Sequence, residues 1–334
     1  MRGKVRWGVL GAANIAVKKV VPAMQRGEWS EVRAIASRDL ARAEAAARAL
    51  GIARAYGSYE ELLGDTEIEA VYIPLPNHLH APLAIQAAEA GKHVLCEKPI
   101  ALSADEARRL IAVRDRTGRR IEEAFMVRTH PQWLATLDLI KAGRIGDLRA
   151  MTGEFSYFNR NPQNIRNNPA TGGGALMDIG CYLVTMSRYV FQDEPRRVVA
   201  LIERDPQMQI DRLVSGIMDF ASGQSSFVCS TQMVAYQRVQ IFGTRGRIDI
   251  EIPFNAPNDR PCRIFVDDGS SLFGDGIETI EFPIVDQYTI QGDLFSRGIR
   301  EGTPSRFPLE DAVKNMAVIE ALFRSAESHQ WQTP

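Results

Sequence analysis

The chain has 334 residues, 45% of them hydrophobic and 24% charged, and a formal net charge of −1. This is the profile of a soluble globular protein long enough for two domains. A near-neutral charge excludes bulk electrostatic recruitment of nucleic acid or of an anionic membrane.

Val5-Arg6-Trp7-Gly8-Val9-Leu10 reads as a strand, and its early start leaves no room for a signal peptide. No apolar run reaches the length of a membrane span. Gly11-Ala12-Ala13-Asn14-Ile15-Ala16 follows, and an amphipathic helix then runs to about Gln25. Strand, small-residue turn and helix form the context of a dinucleotide fingerprint. Gly11 permits the turn, Ala16 lets helix and strand pack closely, and a pyrophosphate would sit on the helix start. Gly11, Ala13, Asn14 and Ile15 are the expected cofactor contacts there. Ala13 stands where the second glycine is usual and narrows the approach to phosphate. A plain βα turn is the alternative.

A second strand over residues 32–36 ends at Ser37-Arg38-Asp39, before an alanine-rich helix over residues 40–50. An acidic side chain at this distance past the glycine turn holds the ribose 2′-hydroxyl of NAD. Ser37 and Arg38 suit a 2′-phosphate instead, so the reading favours NADP, while Asp39 keeps NAD open. Ser37 also reads as the cap of the following helix. Strand and helix keep alternating to Phe125, which predicts a doubly wound parallel sheet, a Rossmann domain over residues 1–125. Pro74-Leu75-Pro76-Asn77 leaves the third strand at the edge of the glycine turn, so Leu75, Asn77 and His80 are expected on the nicotinamide side. The two neighbouring histidines lack a carboxylate or cysteine, and no metal is expected. The next strand arrives at Cys96-Glu97-Lys98-Pro99, where the proline forces the chain out of the sheet. An amine at that edge is a candidate for proton transfer; taken alone, it is equally a solvated lysine.

Residues 126–334 read as an α+β domain. A helix over residues 132–142 precedes a strand over residues 148–157, and a polar stretch, 159–171, reads as a loop over a site. Gly172-Gly173-Gly174-Ala175-Leu176-Met177-Asp178-Ile179-Gly180-Cys181-Tyr182 then gives a glycine-rich entry to a helix, with Asp178 and Tyr182 four apart on one face. Gly180 inside that helix implies close packing against it. Seven strand-like runs between residues 198 and 282 predict a large, mostly antiparallel sheet, one face of which suits burial against a partner. A last helix spans about residues 309–328. The four cysteines are widely spaced, with no metal-ligand or redox pairing, and suit reduced thiols in a cytoplasm.

The Gly11–Ala16 turn, the run Gly91 to Pro99, residues 124–132, the run Gly172 to Tyr182 and the last helix resemble the Gfo/Idh/MocA family of NAD(P)-dependent oxidoreductases over nearly the whole chain. Tyr182, Arg6-Trp7-Gly8 and Asn164-Ile165-Arg166 resemble the branch holding glucose–fructose oxidoreductase, NADP-dependent D-xylose dehydrogenase and dimeric dihydrodiol dehydrogenase. The resemblance implies that Lys98 and Tyr182 flank the reacting carbon above the nicotinamide, with Asp178 nearby. It also implies Glu97 and Arg166 near the cofactor, and a homodimer or homotetramer through the C-terminal sheet. Lys98, Arg128, Tyr157, Asp178 and Tyr182 are the expected substrate contacts. The expected activity is hydride transfer between nicotinamide and a CH–OH or C=O carbon of a sugar, as in an aldose 1-dehydrogenase. A trans-dihydrodiol dehydrogenase, a keto-sugar reductase and a non-catalytic NAD(P)-binding sensor are the alternatives. Whether Tyr182 or Lys98 takes the proton is open; the partner is a small sugar or polyol, with neither nucleic acid nor membrane.

Overall fold

The computed structural model describes residues 3–334. Two compact units divide the chain: the first takes the residues up to Met126 together with Asp286–Val313, and the second takes Val127–Val285 and Lys314–Pro334.

The first unit holds six parallel strands: β1 (Val5–Leu10), β2 (Ser30–Ala36), β3 (Arg54–Tyr56), β4 (Ala70–Ile73), β5 (His93–Glu97) and β6 (Ile121–Ala124). Their order is β3-β2-β1-β4-β5-β6, the doubly wound order in which a ligand binds where the winding reverses, between the carboxyl ends of β1 and β4. Val71, Ile73, Val94 and Cys96 pack against Ala84, Ala87 and Leu110 on one face. Trp7, Val9 and Tyr72 pack against Val20, Met24 and Phe295 on the other. Sequence periodicity missed β3, three residues long and only half-buried.

Sequence reading also missed the helix Gln287–Glu301, whose Phe295 ring lies 5.2 Å from Trp7. Trp7 Nε1 donates to Ser296 Oγ at 3.0 Å in the same contact. Two interior glycines lower this helix's propensity, and both mark close approaches. A Cβ on Gly292 would stand 2.9 Å from Met24, and one on Gly298 would stand 2.5 Å from the Arg120 guanidinium.

The second unit is built on β7 (Leu148–Phe158), β8 (Arg197–Arg204), β9 (Asp211–Asp219), β10 (Gln224–Ser230), β11 (Gln232–Gly243), β12 (Arg247–Ile250), β13 (Cys262–Asp267) and β14 (Ile277–Phe282). The order is β14-β13-β12-β11-β7-β10-β9-β8; β7 and β10 run parallel and the other neighbours antiparallel. One face is covered by the buried helix Cys181–Phe191, which lies so close that a Cβ on Gly153 of β7 would meet Leu183 at 2.5 Å. The other face is divided. Its β8–β10 end carries exposed Leu201 and Ile217 beside Val199 and Val228, around an open depression of about 560 Å³. Its other end is laced by the ion pairs Arg238–Asp249, Arg247–Asp267 and Arg263–Glu251. No helix among the described residues is long and apolar enough to cross a membrane.

Candidate active site

At the end of β1, Gly11 has φ +127°, and a Cβ there would stand 2.7 Å from the Leu75 side chain. Only glycine meets both demands. Ala13 is half-buried and Asn14 exposed, so the turn leaves its backbone open to solvent. The chain then enters a wide, π-type turn over Ala16–Val20 before the α-helix Val21–Arg26; such turns concentrate at functional sites. Ala16 is buried, as close helix–strand packing requires.

At the end of β2 the carboxylate is committed. Asp39, not Ser37, caps the helix Leu40–Leu50, accepting from Ala41 N at 3.0 Å and Arg42 N at 3.4 Å. Ser37 Oγ accepts from Asp39 N at 3.3 Å. Arg38 is exposed, and its charge opposes the rise that burial gives the Tyr59 pKa. Arg42 donates to Ala12 O at 3.1 Å, so a second guanidinium reaches the glycine turn. Two cations and a hydroxyl, with the acid turned to its own helix, fit a 2′-phosphate better than a free 2′-hydroxyl.

The strand ends of β4 and β5 are tied by His80. Its Nδ1 lies 2.7 Å from Pro99 O and its Nε2 lies 2.6 Å from Leu75 O, both main-chain carbonyls. The expectation that His80 faces the ligand therefore changes: its ring nitrogens are spent between two loops. Burial pushes its pKa down to about 4 while the two carbonyls pull it up. The two oxygens suit a doubly protonated ring, but desolvation is the larger effect, and a neutral ring donates to only one of them, Pro99 O or Leu75 O according to its tautomer. The same turn is held from β6, where the Glu123 carboxylate accepts from Ile100 N at 2.8 Å. Glu97 accepts from the Tyr72 hydroxyl at 2.6 Å. Burial and the nearby Glu97 charge raise the pKa of both Tyr72 and Tyr288, so both phenols stay protonated. Lys98 thus leaves β5 on a turn fixed on both sides, through a cis Lys98–Pro99 peptide. Asn77 begins the short turn Asn77–Leu79 just past Leu75.

In the second unit Asp178 lies in a π-type turn, Leu176–Gly180, which precedes the α-helix Cys181–Phe191. The wider turn alters the α-helical four-residue alignment expected for Asp178 and Tyr182. Asp178 accepts from the Tyr157 hydroxyl at 2.6 Å and from Arg166 Nε at 2.9 Å. Burial, then the Asp178 charge, raises the Tyr157 pKa, which keeps that phenol a donor. Tyr182 packs as a core aromatic with Phe155 and Phe254, ring centroids 5.8 and 5.6 Å away. Gly180 packs as expected: a Cβ would meet Cys229 Sγ at 2.9 Å. Arg128 is buried, and its carbonyl accepts from the Tyr189 hydroxyl at 3.2 Å. No group of three metal-ligating side chains is found among the described residues.

A family model described as an oxidoreductase family with an NAD-binding Rossmann fold matches residues 5–125, and the GFO/IDH/MocA C-terminal domain matches residues 133–249. The chain belongs to the Gfo/Idh/MocA family. Among its relatives, an uncharacterized oxidoreductase of Rhizobium meliloti is 52% identical over 98% of this chain and 99% of its own length. A D-xylose 1-dehydrogenase (NADP(+)) of Haloferax volcanii is 39% identical over 96% of this chain and 97% of its own. The crystal structure of a 3-ketoreductase from Actinomadura kijaniata with NADP and TDP-benzene superposes with a TM-score of 0.91 at 27% identity, covering 97% and 98% of the two chains.

In this Gfo/Idh/MocA chain the strand-edge turns and the glycine-rich helix entry stood out in the sequence. The clamp by His80 and the reach of Arg42 did not. Arg42 lies in the first turn of the helix that follows Ser37-Arg38-Asp39, and a second basic residue so close to the end of β2 is the signal that would have found it. His80 as clamp yields a test. His80→Ala removes the ring and its donor from between the Pro99 and Leu75 carbonyls and is expected to lower the unfolding free energy by about 1–3 kcal/mol, read from urea unfolding. Unchanged stability would contradict the clamp.

Proposed function

We propose that this oxidoreductase is an NADP-preferring aldose 1-dehydrogenase of the D-xylose dehydrogenase type. The observation that carries the reading is the donor set itself. Lys98 is held on a pinned strand-end turn, and Asp178 and Tyr182 share one helix entry, with Arg166 and Tyr157 fixing the carboxylate. The similarity to a D-xylose 1-dehydrogenase across 96% of the chain supports the same choice. In the Actinomadura ketoreductase, the lysine and the tyrosine replaced in crystallised variants stand as far apart in sequence as Lys98 and Tyr182 do here.

The cofactor contacts are Gly11, Ala13, Asn14 and Ile15 for the pyrophosphate and Ser37, Arg38 and Arg42 for the 2′-phosphate. Leu75, Asn77, Glu97, Lys98 and Arg166 serve the nicotinamide side, and His80 acts through the loops it ties. When bound, NADP supplies the hydride acceptor. The chain's own residues orient the sugar and move the proton: Tyr182 takes it from the hydroxyl as the C–H bond gives up its hydride, and Lys98 polarises the same oxygen. Asp178 accepts from a neighbouring sugar hydroxyl, with Tyr157 and Arg128 lining the substrate. Reduction of a keto sugar is the same chemistry reversed, and the likeness to a 3-ketoreductase favours it as the second reading. The four buried free thiols support a reducing, cytoplasmic setting.

Two tests follow from these assignments. In a 340 nm assay with NADP and a panel of aldoses, Lys98→Ala and Tyr182→Phe are each expected to lower kcat by about 10²-fold or more. Near-normal turnover in both would reject the proton path. Arg38→Ala and Arg42→Ala should each weaken NADP by about 10-fold or more and leave NAD almost unchanged, since each removes a charge-assisted contact. Equal losses for both cofactors would reject the 2′-phosphate assignment.

We also propose a homodimer through the open face of the second unit's sheet. A two-fold axis that lays the β8–β10 end on its own equivalent buries Leu201 and Ile217 and leaves the ion-paired ends matched to each other. Leu201→Lys is expected to shift the protein to monomer in sedimentation at micromolar concentration. A monomeric wild type would reject the interface.

A further inference from the structure

Asp211 opens β9, and its side chain is buried. Its Oδ2 accepts from Leu176 N at 2.6 Å, at the entry to the turn that carries Asp178. Gly174 presses against the same carboxylate, since a Cβ there would stand 1.8 Å from Oδ1, and its φ of +119° is one that side chains avoid. The other side of the glycine turn is equally tight. A Cβ on Gly173 would stand 2.5 Å from Arg166 O, and Gly174 N donates to that same carbonyl at 2.9 Å. The glycines therefore fit the turn between a carboxylate from β9 and the backbone of Arg166, whose side chain holds Asp178.

A carboxylate is a costly group to bury when packing alone would be served by an apolar residue. Burial pushes this one up to about 6, against the pull of Leu176 and Ala175 N–H groups and of Arg204. Its negative charge meets the first, otherwise unpartnered N–H groups of a helix and the positive end of the helix dipole. From that helix entry, residues 178 and 182 are the ones given to chemistry, and a displacement of about 1 Å at such a site costs on the order of 10²-fold in rate.

We propose that Asp211 is a positioning residue. From β9 it locks the turn at residues 172–174 and the first turn of the following helix, and so sets where the Asp178 carboxylate and the Tyr182 hydroxyl stand, without touching substrate. This rests on the reading of Asp178 and Tyr182 as substrate-facing groups, so the test carries a readout independent of turnover.

Hydrogen exchange is measured over residues 172–182 in the full-length wild type, Asp211→Ala and Asp211→Asn, together with NADP affinity and steady-state kinetics. In Asp211→Ala, exchange over residues 174–178 is expected to rise at least tenfold and kcat to fall at least tenfold, with the NADP Kd changed less than twofold. Asp211→Asn keeps one acceptor oxygen and is expected to recover most of both losses. Unchanged exchange in Asp211→Ala overturns the proposal, whatever the enzyme turns over. Exchange raised across the whole chain with lost NADP binding in both variants also overturns it, as the mark of a merely structural group. Raised local exchange in a protein that oxidises no sugar supports the link to Asp211 and rejects the functional reading instead.

Discussion

The imidazole of His80, set between the carbonyls of Leu75 and Pro99, is the contact on which the cofactor half of this protein depends. Two loops leave neighbouring strands there, one carrying Leu75 against Gly11 and the other carrying Lys98. The Pro99 contact is buried and the Leu75 contact partly so, and a buried carbonyl without a donor would cost about 1–3 kcal/mol. One ring lies against both and donates to one or the other by tautomer, and the Glu123 carboxylate answers the Ile100 N–H on the far side of the proline. A lysine on a free loop would carry its full rotamer and backbone freedom into the step proposed for Lys98. On this turn the backbone cost is met at folding.

The second unit solves the same problem with a different device. It places a carboxylate and a phenol at a helix entry opened by three glycines and followed by Gly180, where the backbone can come within contact of Asp211, Arg166 and Cys229. Side chains are then fixed by their neighbours: Asp178 by Tyr157 and Arg166, and the Tyr182 ring by Phe155 and Phe254. Both units put a wide, π-type turn directly after a glycine-containing turn. In each case the extra residue shifts the side chains that follow it relative to a plain α-helix.

Much of this was legible in the sequence because its signals are local. Strand alternation and glycine or proline stops gave five of the six strands of the first sheet and every strand of the second. The run Glu97-Lys98-Pro99 and the glycine run before Asp178 announced themselves by composition. What stayed hidden depends on contacts between distant residues. The helix Gln287–Glu301 carries two glycines that lower its propensity, and only Met24 and Arg120 explain them. Asp39 leaves NAD open in the sequence, and that its Oδ1 caps the following helix emerges only from the folded chain. Asp211 gave no signal at all, because an aspartate at a strand start looks like any turn residue until its partner at Leu176 is seen.

The central claim is direct transfer of hydride from a sugar carbon, arranged by Lys98, Asp178 and Tyr182. The most direct measurement uses an aldose deuterated at C1 with NADP, following both the label and the rate. The account predicts deuterium in the reduced nicotinamide and slower turnover than with the unlabelled sugar. Reduced cofactor free of deuterium, or no reduction with any aldose, would contradict it.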